Sequence, residues 1–270
     1  MPEATFGVIG GGMMGEALIA RLLDRGIFAP GAVLVSDPQA ARREVLHRSY
    51  GVQTTDDNQA VIDAAETVLL AIKPQLLTAV AGSLKPPSRE PAPLLLSILA
   101  GVDLNRLSQA FPGWAVVRAM PNTPATVGAG VTALAAGAGV SDRQREQARQ
   151  IFASVGTVVA VPEAQMDAVT ALSGSGPGYL ALVVEALADG GVAVGLPRAT
   201  ALELAIATLR GTGELLHRGD LHPAVLKDRV TSPGGTTIAG VAALESGGLR
   251  SALIQAVQAA YLRSKELGQS

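Results

Sequence analysis

Along the first 161 positions the apolar residues fall into short runs separated by polar and glycine-rich punctuation. Phe6–Ile9, Val33–Val35, Val68–Ile72, Leu94–Leu99, Ala115–Met120, Val131–Ala135 and Thr157–Val161 each predict a strand. The unbroken run Val68-Leu69-Leu70-Ala71-Ile72 has the character of a strand buried on both faces. Between these runs the period changes. Glu16–Asp24 places Ala17, Leu18 and Leu22 near helical spacing. Ser141-Asp142 reads as a helix start, and Ala148, Ile151, Phe152 and Val155 share one face of that helix. Strands alternating with helices predict an α/β fold with a doubly wound, mostly parallel sheet.

After about Pro162 the strand punctuation stops and stretches rich in Ala, Leu and Val take over. Pro177 and Pro197 both stand where a helix can begin, because the fixed φ of proline suits a first turn. Tyr179–Val194 is apolar almost all round, and so is much of Ala199–Leu209. A small helical domain cannot hide such faces alone, so they are expected to pack on another subunit. The other reading is that they cover only the chain's own sheet. The division predicted is residues 1–162 as a nucleotide-type domain and residues 163–270 as an all-α dimerisation domain. Residues 85–93, with Pro86, Pro87, Pro91 and Pro93, predict a surface loop.

The composition narrows the partners. The chain has 270 residues, of which 48% are hydrophobic and 16% charged, a balance that argues against disorder. Aromatics make up 3%, which leaves little stacking surface for single-stranded nucleic acid, and a formal charge of −2 gives no basic footprint. No nucleic-acid partner is expected. Cysteine is absent, so disulfides and thiolate chemistry are excluded. His47, His217 and His222 are too scattered to predict a metal site. The longest apolar stretches are broken by Glu, Asp, Arg or Gly before about 18 residues, so no membrane span is predicted. The start runs directly into Phe6–Ile9 without a signal-peptide pattern, and a cytoplasmic location is the default expectation.

Gly10-Gly11-Gly12-Met13-Met14-Gly15 is the strongest local motif. Gly-x-Gly-x-x-Gly means little alone, but here it comes after a strand and opens a helix. In that setting Gly10 allows the tight turn, Gly12 lets backbone approach a pyrophosphate, and Gly15 lets helix and strand pack closely. The expected acidic residue is Asp37, 22 positions after Gly15 at the end of the second strand. These are the marks of a Rossmann-type dinucleotide-binding domain. A carboxylate at Asp37 can accept from both ribose hydroxyls of NAD and repels a 2′-phosphate. Ser36 with Arg42-Arg43 leaves NADP open, although a solvated helix face is the plainer account of the two arginines.

Candidate chemistry lies in three segments of small residues: Arg118–Pro124, Ser173–Pro177 and Thr231–Ile238. In the third, Gly234-Gly235 leads into a helical pattern, and bare N–H groups at a helix start form an anion site. Thr236 and Thr237 place hydroxyls beside it. An ordinary threonine N-cap explains the same residues. Dispersed histidines and the lack of paired carboxylates argue against hydrolysis. Hydride transfer to an electrophilic substrate needs less acid–base assistance.

With these residues in view, the sequence resembles the pyrroline-5-carboxylate reductase family. The resemblance rests on His222–Val241 through Leu244-Glu245, on the glycine turn, on Ala71-Ile72-Lys73-Pro74-Gln75, on Met120-Pro121-Asn122-Thr123-Pro124, and on Leu172–Pro177. It implies reduction of 1-pyrroline-5-carboxylate to L-proline, the last step of proline synthesis, with NADPH or NADH. It also implies a helical domain that interlocks into a homodimer, larger rings of dimers, and a substrate pocket at the dimer interface. By the same resemblance Gly10–Gly15, Ser36, Asp37, Asn58 and Ala71, Ile72, Lys73 and Pro74 contact the cofactor, with Ala100-Gly101 near the nicotinamide. Ser232, Gly234, Gly235, Thr236 and Thr237 correspond to the loop that holds the substrate carboxylate, and Thr237 to the threonine that hydrogen-bonds the ring nitrogen. Two positions depart from the family pattern. Many members carry Ser or Thr where Asp37 stands, consistent with NADPH use. Gly178 stands where alanine is common. The competing reading is a β-hydroxyacid dehydrogenase, which requires a catalytic lysine on a helix of the second domain. Lys227 and Lys265 are the only lysines after residue 85.

Overall fold

A computed structural model describes residues 5–88, 90–219 and 221–269, so Arg89 of the proline-rich loop lies outside the described residues. The chain divides into two compact units, Met1–Gly174 with Ala260–Ser270, and Ser175–Ala259.

The first unit contains β1 (Phe6–Ile9), α1 (Met13–Asp24), β2 (Val33–Ser36), α2 (Ala40–Tyr50), β3 (Gln53–Thr55), α3 (Asn58–Ala64) and β4 (Thr67–Leu70). It continues with α4 (Leu77–Ser83), β5 (Leu94–Ser97), α5 (Leu104–Ala110), β6 (Val116–Met120), β7 (Gly130–Ala136), α6 (Asp142–Ala153) and β8 (Gly156–Ala160). The short helix α7 (Met166–Val169) and a π-helical segment at Thr170–Gly174 extend the unit past the boundary expected at residue 162. The strands form one sheet in the order β3-β2-β1-β4-β5-β6-β7-β8. Among the described residues only the β6–β7 pairing is antiparallel, so β7 and β8 run opposite to the other six strands. The strand order reverses between β1 and β4, and open α/β sheets bind ligands beyond the strand ends at such a point.

Alternation along the buried strands builds a core on each face. Phe6, Val8, Leu69, Leu94 and Leu96 pack with Leu18, Ile19 and Leu22 of α1 and with Ile151 and Phe152 of α6. Ile9, Val68, Leu70 and Leu95 face the other way, onto Val61 and Ile62 of α3 and Leu107 of α5. Each fully buried Val or Leu contributes about 1.5–3 kcal/mol of hydrophobic stabilisation. The predicted start of α6 is a capping box: Gln144 N–H donates to Ser141 Oγ at 3.3 Å, and Ser141 N–H donates to Gln144 Oε1 at 2.9 Å.

Some predicted bounds shift. β4 stops at Leu70 and β5 at Ser97, so Ala71-Ile72 and Ile98-Leu99 lie beyond the strand ends. Ala71 N–H still donates to Ile9 C=O at 2.8 Å, which holds the chain against the exit of β1. β3 is an edge strand that no apolar run announced, because Gln53-Thr54-Thr55 is short and polar.

The second unit is helical: α8 (Gly176–Ala193), α9 (Arg198–Gly219), α10 (Pro223–Val230), α11 (Thr236–Ser246) and the first part of α12 (Leu249–Gln269). Pro177 sits in the first turn of α8, and Pro197 C=O accepts from Ala201 N–H at the start of α9. The α8–α9 pair packs through Ala188, Ala201 and Ala205 with Val184 and Val192 beside them. Leu182 is 67% exposed, Val194 83% and Leu204 53%. Glu163–Ala193 is one helical stretch that is long and apolar enough to cross a membrane, with a mean hydropathy of 1.2. The expectation that every apolar stretch is interrupted too early for that was too strict.

Candidate functional site

The dinucleotide candidate is the turn between β1 and α1. Gly10 has φ of +101°, and a Cβ there would lie 2.6 Å from Ala71 O, so both conformation and space require glycine. A Cβ on Gly15 would lie 2.6 Å from Gly10 O. Gly12 is the N-cap of α1, offers no side-chain cap, and has open space where a Cβ would stand. The first-turn N–H groups of α1 thus face outward at the positive end of a helix dipole, which suits a pyrophosphate. Gly11, the position the motif leaves free, is also constrained: a Cβ there would lie 2.6 Å from Leu46 Cδ1 of α2.

Asp37 is fixed to this turn. Its Oδ2 accepts from Gly11 N–H at 3.0 Å and its Oδ1 from Gln39 N–H at 2.9 Å. Arg42 donates from Nε to Gly11 C=O and pairs through Nη2 with Glu16 Oε2. Tyr50 Oη donates to Glu16 Oε1 at 2.9 Å. Burial acts to raise the Glu16 pKa, but hydrogen bonds from Arg42 and Tyr50 and the Arg42 charge outweigh it, and the carboxyl stays below its ordinary value. Tyr50 moves up, through burial and its bond to Glu16. Arg43 donates from Nη1 to Asp37 C=O at 2.7 Å and to Pro38 C=O at 3.1 Å, and lies 3.5 Å from Asp56. The two arginines are therefore not a solvated helix face; each is engaged by named acceptors.

Ser36 and Asn58 work from behind the turn. Ser36 is 1% exposed, and its Oγ donates to Asn58 Oδ1 at 2.6 Å. Its carbonyl accepts from Gly10 N–H at 2.8 Å. The Ser36 hydroxyl is thereby turned toward Asn58. Ala71 and Ile72 lie against Gly10, and Lys73 is exposed at the N-cap of a short 3-10 turn over Pro74–Leu76. The Lys73 carbonyl accepts from Leu76 N–H at 2.9 Å. Ala100 is exposed in the turn after β5, next to Gly101 with φ of +72°.

Two of the flagged segments make framework contacts. Arg118, 4% exposed in β6, pairs with Glu163 at 2.6 Å, and Glu163 Oε1 also accepts from Leu104 N–H. Asn122 accepts from Val131 N–H at 2.9 Å and donates to Ser173 C=O at 3.1 Å, tying the β6–β7 connection to the π-helical segment.

The substrate-loop candidate belongs to the second unit. Gly234 has φ of +67°, and Gly235 is the N-cap of α11 with no side-chain cap. A Cβ on Gly235 would lie 2.4 Å from Ser232 Oγ, and Gly235 N–H donates to Ser232 C=O at 3.0 Å. The threonine N-cap alternative falls: Thr236 and Thr237 open the helix itself, both exposed, and the cap is a bare glycine. Ser232, Gly234, Gly235, Thr236 and Thr237 thus form one loop at the uncapped start of α11, with two exposed hydroxyls beside the helix N-terminus.

Glu16 and Tyr50 were not among the expected residues. Arg42 and Tyr50 stand eight positions apart on α2, a same-face spacing, which is the one local sign of their shared target.

Residues 163–267 match the model for pyrroline-5-carboxylate reductase dimerisation, and residues 5–101 match that for NADP oxidoreductase, coenzyme F420-dependent. A pyrroline-5-carboxylate reductase of Synechocystis sp. is 56% identical, covering 97% of each chain. One from Arabidopsis thaliana is 40% identical, covering 100% of this chain and 98% of the relative. The solved structure of a pyrroline-5-carboxylate reductase from Coxiella burnetii superposes with a TM-score of 0.93 at 35% identity, covering 99% of this chain and 100% of that one. That of Plasmodium falciparum pyrroline carboxylate reductase with NADP bound gives 0.87 at 29% identity, covering 99% of each. Full-length identity at this level shows that the chain belongs to the pyrroline-5-carboxylate reductase family.

Proposed function

We propose that the chain reduces 1-pyrroline-5-carboxylate to L-proline, the last step of proline biosynthesis, using NADPH or NADH. The observation that carries the substrate reading is the uncapped start of α11, where the backbone N–H groups of the first helical turn and the Thr236 and Thr237 hydroxyls stand together in a member of this family. The nicotinamide, when bound, supplies the hydride. The ring nitrogen of the imine carries a proton near neutral pH, which makes the adjacent C5 the electrophile. What remains for the protein is proximity and orientation. Gly234, Gly235 and Ser232 hold the substrate carboxylate at the helix N-terminus, and Thr237 hydrogen-bonds the ring nitrogen. Gly10–Gly15, Asp37, and the backbone at Ala71–Pro74 and Ala100 hold the dinucleotide, with Ser36 and Asn58 supporting the turn. Thr237→Ala is expected to lower turnover roughly 10- to 1,000-fold while leaving dinucleotide affinity unchanged.

The chain functions as a homodimer, with rings of dimers as the larger assembly, and works in the cytoplasm without nucleic-acid or membrane partners. The match of residues 163–267 to a dimerisation model supports reading the apolar faces of α8 and α9 as subunit contacts rather than a membrane span. The β-hydroxyacid dehydrogenase reading fails on its lysine. Lys227 pairs with Asp228 at 2.7 Å on a short surface helix, and Lys265 lies over the Tyr261 ring at 5.5 Å. The test is oxidation of NADPH and of NADH with 1-pyrroline-5-carboxylate and with a panel of hydroxyacids, with the product identified. L-proline formed in step with cofactor oxidation is the expected result. No imine-dependent oxidation with either cofactor overturns the reading.

A further inference from the structure

The network behind the glycine turn bears on which nicotinamide dinucleotide the chain prefers. The Asp37 carboxylate has about four acceptor positions. Gly11 N–H and Gln39 N–H occupy two and fix the group's orientation at the end of β2. The remaining positions suit the paired hydroxyls of an unmodified ribose. A 2′-phosphate at the same place meets a fixed negative charge. Cationic relief is the usual remedy, and Arg42 and Arg43 are the cations at hand. Both are already committed. Arg42 is held by Glu16 and Gly11 C=O, and Glu16 is itself held by Tyr50. Arg43 is held by the Asp37 and Pro38 carbonyls and lies beside Asp56. Across these contacts three carboxylates (Glu16, Asp37, Asp56) face two guanidiniums. The third possible donor, the Ser36 hydroxyl, is buried and turned toward Asn58.

We propose that this chain is selective for NADH over NADPH, with Asp37 as the residue that discriminates at the ribose and Glu16, Tyr50 and Arg42 as positioning residues that keep the glycine turn rigid and the guanidinium away from a 2′-phosphate. The inference rests on the nicotinamide-binding reading above, and goes beyond it by naming the form of the cofactor. Arg42 acts on the turn through Gly11 C=O, and Asp37 acts on the same residue through its N–H. Selectivity and turn geometry are therefore coupled through Gly11.

The test is calorimetric binding of ADP-ribose and of its 2′-phosphorylated form, which needs neither the nicotinamide nor the imine. The wild-type chain is expected to bind ADP-ribose at least about tenfold more tightly, a difference of about 1.4 kcal/mol. Asp37→Ser is expected to abolish that preference. Asp37→Ser combined with Glu16→Gln, which frees Arg42, is expected to reverse it. Glu16→Gln alone should weaken both ligands together by loosening the turn, and Tyr50→Phe should do so to a smaller extent. Equal or tighter wild-type binding of the phosphorylated form overturns the proposal, and so does an Asp37→Ser ratio equal to wild type. Binding of neither compound overturns the dinucleotide reading on which the proposal stands, and imine reduction measured in parallel separates the two failures.

Discussion

The two units of this chain handle apolar surface in opposite ways. The first buries Phe, Leu, Ile and Val side chains on both faces of an eight-stranded sheet. The second, among the described residues, has only alanines at the centre of its α8–α9 contact, while Leu180, Leu182, Leu187, Leu204 and Ile206 stand exposed on the same helices. A sheet flanked by helices is a complete hydrophobic unit. A helical unit whose buried centre consists of alanines is not, because alanine offers little area to remove from water. The dinucleotide turn accordingly rests on a self-sufficient framework, whereas the helical unit that carries the α11 loop leaves large apolar side chains exposed, which the proposal above assigns to a second copy of the chain.

The sharpest way to break that contrast is to place charge on the exposed faces. Leu182→Glu with Leu204→Glu is expected to dissociate the dimer altogether, because two carboxylates cannot be buried unpaired at an apolar contact. Sedimentation at several concentrations reads this directly, and a persistent dimer would return those leucines to the solvent surface. A core deletion in the first unit should behave differently. Leu96→Ala is expected to lower unfolding stability by about 2–5 kcal/mol in urea titration without changing the oligomeric state. Removing the α6 capping box with Ser141→Ala should cost about 1 kcal/mol and leave cofactor affinity unaltered.

The same contrast explains what could be read along the chain. The glycine turn and the Gly234–Thr237 loop were legible because their constraints are local: a bare backbone at a helix start demands glycine within a few positions. The doubly wound sheet was legible from apolar runs, but β3 was not, since a polar edge strand leaves no such run. The network around Asp37 was hidden for another reason. Gly11 and Asp37, Glu16 and Arg42, and Glu16 and Tyr50 lie 26, 26 and 34 positions apart, and only the packing of α2 against α1 makes them neighbours. Ser36 is a similar case: its type suits a phosphate contact, but its place on β2 turns the hydroxyl inward. The exposed leucines of α8 and α9 are the sequence feature that the proposal above assigns to a second copy, and α8 also lies in the stretch Glu163–Ala193 that is long and apolar enough to cross a membrane.

The most direct measurement combines cofactor binding and turnover on the Leu182→Glu, Leu204→Glu chain. The account predicts a monomer that still binds NADH with near wild-type affinity, which shows the first unit intact, but no longer converts 1-pyrroline-5-carboxylate to L-proline. A monomer with full imine reduction would contradict the claim that the substrate loop depends on a second copy.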